Sequence, residues 1–221
     1  MSPGRIKLPS QTAALAGIPA GIQAAGPWSG RRQLFVRFAD EAETATLYTA
    51  EALKGEMQRL AARSRYHSIA IAGRDPLAEG EYLAAVYGDG APLPIMLDHD
   101  GQRPEALQPL LHLLALVQVD VDGTESDPVL ERICASLALA ADKQVKHALV
   151  VSPAADTSDA LLLRIVERAG DASGKTEVVV HPTMESASDP DRRWIGWLER
   201  ASQVHGDVRV VPRLPTPTGM R

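Results

Sequence analysis

Seven short apolar runs, each but the last followed by a segment of helical periodicity, restrict this chain to an α/β architecture with a mostly parallel sheet. The apolar runs predict strands at 33–38, 68–72, 93–97, 116–121, 146–151, 177–181 and 208–211. Between them the spacing predicts helices at 49–63, 78–87, 103–113, 127–141, 158–169 and 191–203. Two helix starts are readable: Asp189-Pro190 as an N-cap followed by proline at the first helical position, and Thr157 or Ser158 as the cap of the preceding helix. Six βα units suit a partial or small β/α barrel better than the eight-unit form, with a doubly wound open sheet as the alternative.

A length of 221 residues suits one domain over 1–221. The opening segment 1–30 and the tail 212–221 are expected to pack on that body or on a partner. Hydrophobic residues make up 45% and charged residues 23%, which excludes disorder and a long coiled coil. A net charge of -5 gives no general attraction for nucleic acid, although Arg31, Arg32 and Arg37 form a local basic group. The single cysteine, Cys134, excludes an intrachain disulfide framework and fits a reducing cytoplasm. Prolines interrupt the weakly apolar N-terminus, no run approaches the length of a membrane span, and a cytoplasmic location is expected.

An ordered series of motifs carries a family resemblance. Gln23-Ala24-Ala25-Gly26-Pro27-Trp28-Ser29-Gly30 precedes a strand ending in Phe35-Val36-Arg37-Phe38; Gly73-Arg74-Asp75-Pro76-Leu77 follows the second strand; Leu97-Asp98-His99-Asp100-Gly101 follows the third. Asp120-Val121-Asp122-Gly123, His181-Pro182 and Val211-Pro212-Arg213 close the series. In this order the chain resembles the 7-carboxy-7-deazaguanine synthases, a family of radical S-adenosylmethionine enzymes. The resemblance implies a partial (β/α)6-type barrel of the radical S-adenosylmethionine kind, and a homodimer as one available assembly.

The same resemblance implies lost chemistry. The family carries CxxxCxxC after its first barrel strand, three thiolates that hold a four-iron cluster whose free iron chelates the cofactor. Those positions fall on Glu41, Ala45 and Tyr48, and a twofold dimer adds only a second Cys134. Arg74 stands where the family has a glycine that lets the cofactor approach the backbone, while Asp75 keeps a shortened acid. The acid that contacts the family's purine-like substrate falls on Ala25. Gln23, Arg37 and His181 remain as remnants of the substrate pocket, each also readable as structural. No iron–sulfur cluster and no S-adenosylmethionine site are therefore expected.

Other residues offer competing readings. In a β/α fold the carboxyl ends of the strands would bring Asp75, Asp98, Asp100, Asp120, Asp122 and Asp156 to one rim, with Asp98 and Asp100 on one face and His99 opposite. Such acids could hold Mg²⁺ or serve as general acid and base, with Asp98 and Asp120 as the catalytic candidates and Asp98, Asp100, Asp120 and Asp122 as the metal candidates. They also read as solvated loop acids and helix caps, since their spacing matches no metal motif. The six histidines form no zinc pattern, and no nucleophile elbow is present. Cys134 reads as helix packing. Trp194 and Trp197, three apart on one helix, are candidate interface anchors, with core packing as the competing reading.

The expectation is a catalytically degenerate relative that serves as a binding or assembly component with a protein partner, in a homodimer or a hetero-oligomer. The alternatives are a metal-dependent hydrolase or lyase using the acidic mouth, and residual binding of S-adenosylmethionine or a purine without turnover.

Overall fold

The computed structural model describes residues 12–188 and 192–213. The chain opens with three strands poor in large apolar residues, β1 (Thr12–Gly17), β2 (Ala20–Ile22) and, after β3 (Arg32–Phe38), β4 (Thr46–Thr49). None of β1, β2 or β4 was expected from the sequence, because their stability comes from pairing and not from an apolar pattern. β1 pairs antiparallel with the carboxyl half of β3 and β2 with its amino half, so 12–22 behaves as one strand interrupted at Ile18-Pro19. β4 then pairs with the outer side of β1.

From β3 onward the pattern is regular. Helix α1 (Ala50–Arg63) leads to β5 (Ser68–Gly73), α2 (Gly80–Tyr87) to β6 (Ile95–His99), and α3 (Pro104–Leu107) to β7 (Leu116–Val121). Helix α4 (Asp127–Asp142) leads to β8 (Lys146–Val151) and α5 (Asp159–Ala172) to β9 (Glu177–Val180). A short α6 (Met184–Ala187) and α7 (Arg193–Val204) precede β10 (Val208–Val210). The expected helix at 103–113 is split, with α3 passing into a 3-10 turn at Gln108–Leu113 that contains Pro109. Ser158 caps α5 by accepting from Leu161 N, as its position suggested. The expected cap at Asp189-Pro190 lies outside the described residues.

The sheet order is β10-β9-β8-β7-β6-β5-β3-β1-β4, and β3 with β5 through β10 are parallel neighbours in sequence order. A doubly wound sheet would reverse direction at a switch point, and this order never does. The helices accordingly cover one face, where Leu34, Val36, Ile69, Ile71, Leu97, Val117, Val119, Leu149 and Val178 join Leu53, Leu83, Ile133, Leu162 and Trp197 in the main core. Trp194 and Trp197 stack edge to face at 5.9 Å within that core and are 6% and 0% exposed. This corrects their reading as interface anchors: both indoles are used by the chain's own packing, on the inward side of α7.

The opposite face of the sheet is covered by the chain's own N-terminal loop. Alternation along the strands turns Phe35, Ala70, Met96, Leu116, Gln118 and Val150 to this side. Across it run residues 23–30, with Ala25 against Val150 and Val179, and Trp28 against Ala70, Met96 and Leu116. Gly26 crosses so closely that a Cβ would lie 2.0 Å from Gln118 Oε1, and its φ of +83° is open to glycine. Among the described residues no helix is long and apolar enough to cross a membrane.

Candidate functional site

Parallel register places the loops after β3, β5, β6, β7 and β8 at one mouth. The loop 39–45, which carries the family's first two cluster-ligand positions, is tied down by ion pairs. Arg37, on the inner side of β3, reaches Glu43 at 3.1 Å; Arg74 reaches Glu41 at 2.8 Å and Asp40 at 3.4 Å. Within the loop the amide of Asp40 donates to Glu43 at 3.2 Å. Glu41 is thus engaged by the arginine that occupies the family's glycine position, Ala45 is exposed, and Tyr48 is fixed in β4 with its ring packed against the main core. Cys134 lies on α4 in the helical layer, its thiol 3.4 Å from the Arg168 carbonyl and its pKa raised by burial.

The turn after β5 is pinned to the same loop. A Cβ on Gly73 would lie 2.3 Å from the Phe38 carbonyl, and the next amide, of Arg74, donates to that carbonyl at 3.2 Å. Asp75 follows in the left-handed region at φ 42° and is paired with Arg103. The Arg74 amide and the Asp75 carboxylate are thus each engaged by the chain itself.

The acids separate into groups. Asp98 and Asp120 point to the inner face from neighbouring strands, and burial, then the charge of Asp120, raises the pKa of Asp98 well above the carboxylate range. Burial also raises Asp120, against hydrogen bonds from Asp98 and Gln118 that lower it. Asp98 is partly buried, and Asp120 is exposed beside it. Gln118 Nε2 donates to Asp120 at 3.2 Å, while its Oε1, 99% buried against Gly26, has no partner. His99 faces the helices, as alternation required; its Nδ1 accepts from Gly101 N at 3.0 Å and burial lowers its pKa to about 4.

Asp100, Asp120 and Asp122 line a cleft of about 340 Å³ beside Glu125 and Ser152. Two of these acids serve local turns: Asp100 accepts from Gln102 N at 3.0 Å, and Asp122 accepts from the Thr124 hydroxyl at 2.5 Å and the Thr124 amide at 2.8 Å, which in that order lower its pKa. Asp156 is exposed in the loop after β8 and does not line the cleft. Among the described residues no three His, Cys, Asp or Glu side chains are grouped as metal ligands would be. The remnants Gln23 and His181 make structural bonds, Gln23 Nε2 to the Ala25 carbonyl at 3.0 Å and His181 Nδ1 to the Val211 carbonyl at 2.7 Å. Burial lowers the pKa of His181, so the neutral ring donates through Nδ1. Sequence reasoning missed Gln118 and the arginine ties; the signal for Gln118 was the polar Gln118-Val119-Asp120 alternation inside an apolar run.

No family model matches this chain, and no curated protein matches it. Among solved structures, the crystal structure of QueE from Escherichia coli aligns with a TM-score of 0.57 and 10% identity, over 92% of this chain and 95% of that one. At that identity the likeness carries the fold, and the chain is a mostly parallel partial β/α barrel of the QueE kind.

Proposed function

We infer that this chain is a radical S-adenosylmethionine-type barrel without its iron–sulfur cluster, retained as a protein-binding component of a homo- or hetero-oligomer. QueE stands in the same family as the sequence motifs, 7-carboxy-7-deazaguanine synthase, which supports the ancestry. One observation carries the reading. Where that chemistry needs three converging thiolates, Glu41, Ala45 and Tyr48 supply none, and the loop bearing the first two is closed by Arg37 and Arg74. The inner face is also filled by residues 23–30, which leaves surfaces outside the barrel as the places to bind a partner. Iron and acid-labile sulfide on anaerobically purified chain test the first half: only trace amounts are expected, and a stoichiometric four-iron cluster overturns the reading. Light scattering after size-exclusion tests the second, with an oligomer or a stable complex expected.

Neighbouring carboxyls at Asp98 and Asp120, both raised in pKa chiefly by burial, favour one other reading, a repurposed hydrolase or lyase that uses the pair as general acid and base. With no grouped metal ligands among the described residues, that chemistry rests on the carboxyls alone. A divalent ion that raises the melting temperature would restore the metal-dependent form of this reading.

A further inference from the structure

At the end of the sheet opposite the acidic mouth, the amino ends of β7, β8 and β9 border a cavity of about 890 Å³. Its walls include Trp28, Arg31, His67, Lys146, His147 and Lys175. The acids on the same walls are largely spent. Glu177 is paired with Arg209, and Asp142 with Lys143 at 3.2 Å, which leaves Asp207. Arg31, Lys146 and Lys175 make no ion pair among the described residues. Three cations therefore face one unpaired carboxylate.

The histidines add a directional donor. Gln33 Nε2 donates to the fully buried Ser68 hydroxyl at 2.8 Å, and that hydroxyl is 2.9 Å from His67 Nδ1. In the tautomer whose Nδ1 accepts the serine proton, the neutral ring carries its own proton on Nε2 and offers it to the cavity. Burial, then the charge of Arg31, favours that neutral form. The ring is held edge-on to Trp28 at 4.8 Å. His147 is spent in the wall, with Nδ1 donating to the Val145 carbonyl at 2.9 Å and Nε2 accepting from Ser173 at 3.1 Å. The carboxyl end of α4, which would repel an anion, is closed: the carbonyls of Leu139, Ala141 and Ala140 accept from the amides of Lys143, Gln144 and Val145.

We propose that this cavity binds a phosphate-bearing small molecule of nucleotide size, its oxyanion held by Arg31, Lys146, Lys175 and His67 Nε2 and its organic part against Trp28. The donor set, three cations without ion pairs among the described residues and the His67 ring on one wall, suits an oxyanion of more than one charge. The volume lies within the roughly 300–1,000 Å³ of small-molecule sites, more than inorganic phosphate needs. The site is at the far end of the strands from the family's cofactor positions, so its fate is independent of the cluster question.

Calorimetry at low ionic strength with sodium pyrophosphate and with ADP tests it. Saturable binding is expected, weakened about tenfold or more in Lys146→Gln/Lys175→Gln and again in Arg31→Gln, all exposed positions that leave the core intact. Lys54→Gln, on α1 and paired with Asp89, controls for net charge and should leave affinity unchanged. Tighter binding of ADP assigns the indole wall to the nucleoside, and equal affinities assign the site to the phosphates alone. No binding of either probe at several millimolar, or equal losses in Lys54→Gln and the cavity variants, overturns the proposal.

Discussion

Burial, then the charge of Asp120, favours the protonated form of Asp98, and burial also raises Asp120, an account in which the pair shares a proton. The consequence for stability has a definite sign. Asp98 ionises well above its ordinary 3.8 in the folded chain, so between those two values the fold binds more protons than the unfolded chain does. Stability is then fullest below the ordinary carboxylate pKa and declines as pH rises through the folded-state value. Asp98→Asn keeps the shape and can still donate to Asp120 but removes the titration. Urea midpoints should match the wild type in acid and exceed it once the pH passes the raised folded-state value of Asp98, where the wild type has lost that stabilisation. Parallel pH profiles for the two proteins would sink the shared-proton account. The facing of these residues was legible, since alternation alone puts Asp98 and His99 on opposite sides of β6. The pairing was not, because which strand neighbours β6 is a tertiary fact.

At the level of elements, the helix-covered strands could be read from sequence because strands buried by a parallel sheet are continuous apolar runs: β7 and β8 have the bounds expected of them. TAALAG, AGI and TLYT carry no such signal, and β1, β2 and β4 exist through their pairing with β3 and with one another. Their presence decides the fate of the cluster loop. Tyr48 belongs to β4, opposite Ala13 of β1, and its ring is part of the core packing, so the loop 39–45 is short and anchored at both ends. Exposed ion pairs such as Arg37 with Glu43 contribute only about 0–1 kcal/mol each. The anchoring is therefore chiefly that of the strands. On the proposed reading, thiols placed at these positions would not by themselves assemble a cluster. Glu41→Cys/Ala45→Cys/Tyr48→Cys, reconstituted with iron and sulfide, should stay far below stoichiometric iron and lose about 1–3 kcal/mol through the vacated Tyr48 packing. A full cluster in that variant would show that the loop geometry is still competent and that the missing thiolates are the whole lesion.

Across the whole molecule, one sheet is packed on both faces by the same chain, with helices on one side and residues 23–30 on the other. If that inner loop is part of the fold and not an appendage, disturbing either face should lower one common transition. Gly26→Ala forces a side chain into Gln118 at a positive φ and should remove about 1–3 kcal/mol. Trp197→Ala empties a fully buried site on the helical face and should remove about 3–5 kcal/mol. The two sites sit on opposite faces of the sheet, so their effects should add in the double variant. Unfolding followed by far-ultraviolet circular dichroism reports the helices, and tryptophan fluorescence in Trp197→Ala draws in part on Trp28 inside the inner loop. The two signals should coincide in every variant, as one cooperative unit over the described residues requires. An early fluorescence change in Gly26→Ala with the helical signal intact would instead make the loop a removable plug, and the inner face with its Asp98 and Asp120 pair would become an open, addressable pocket.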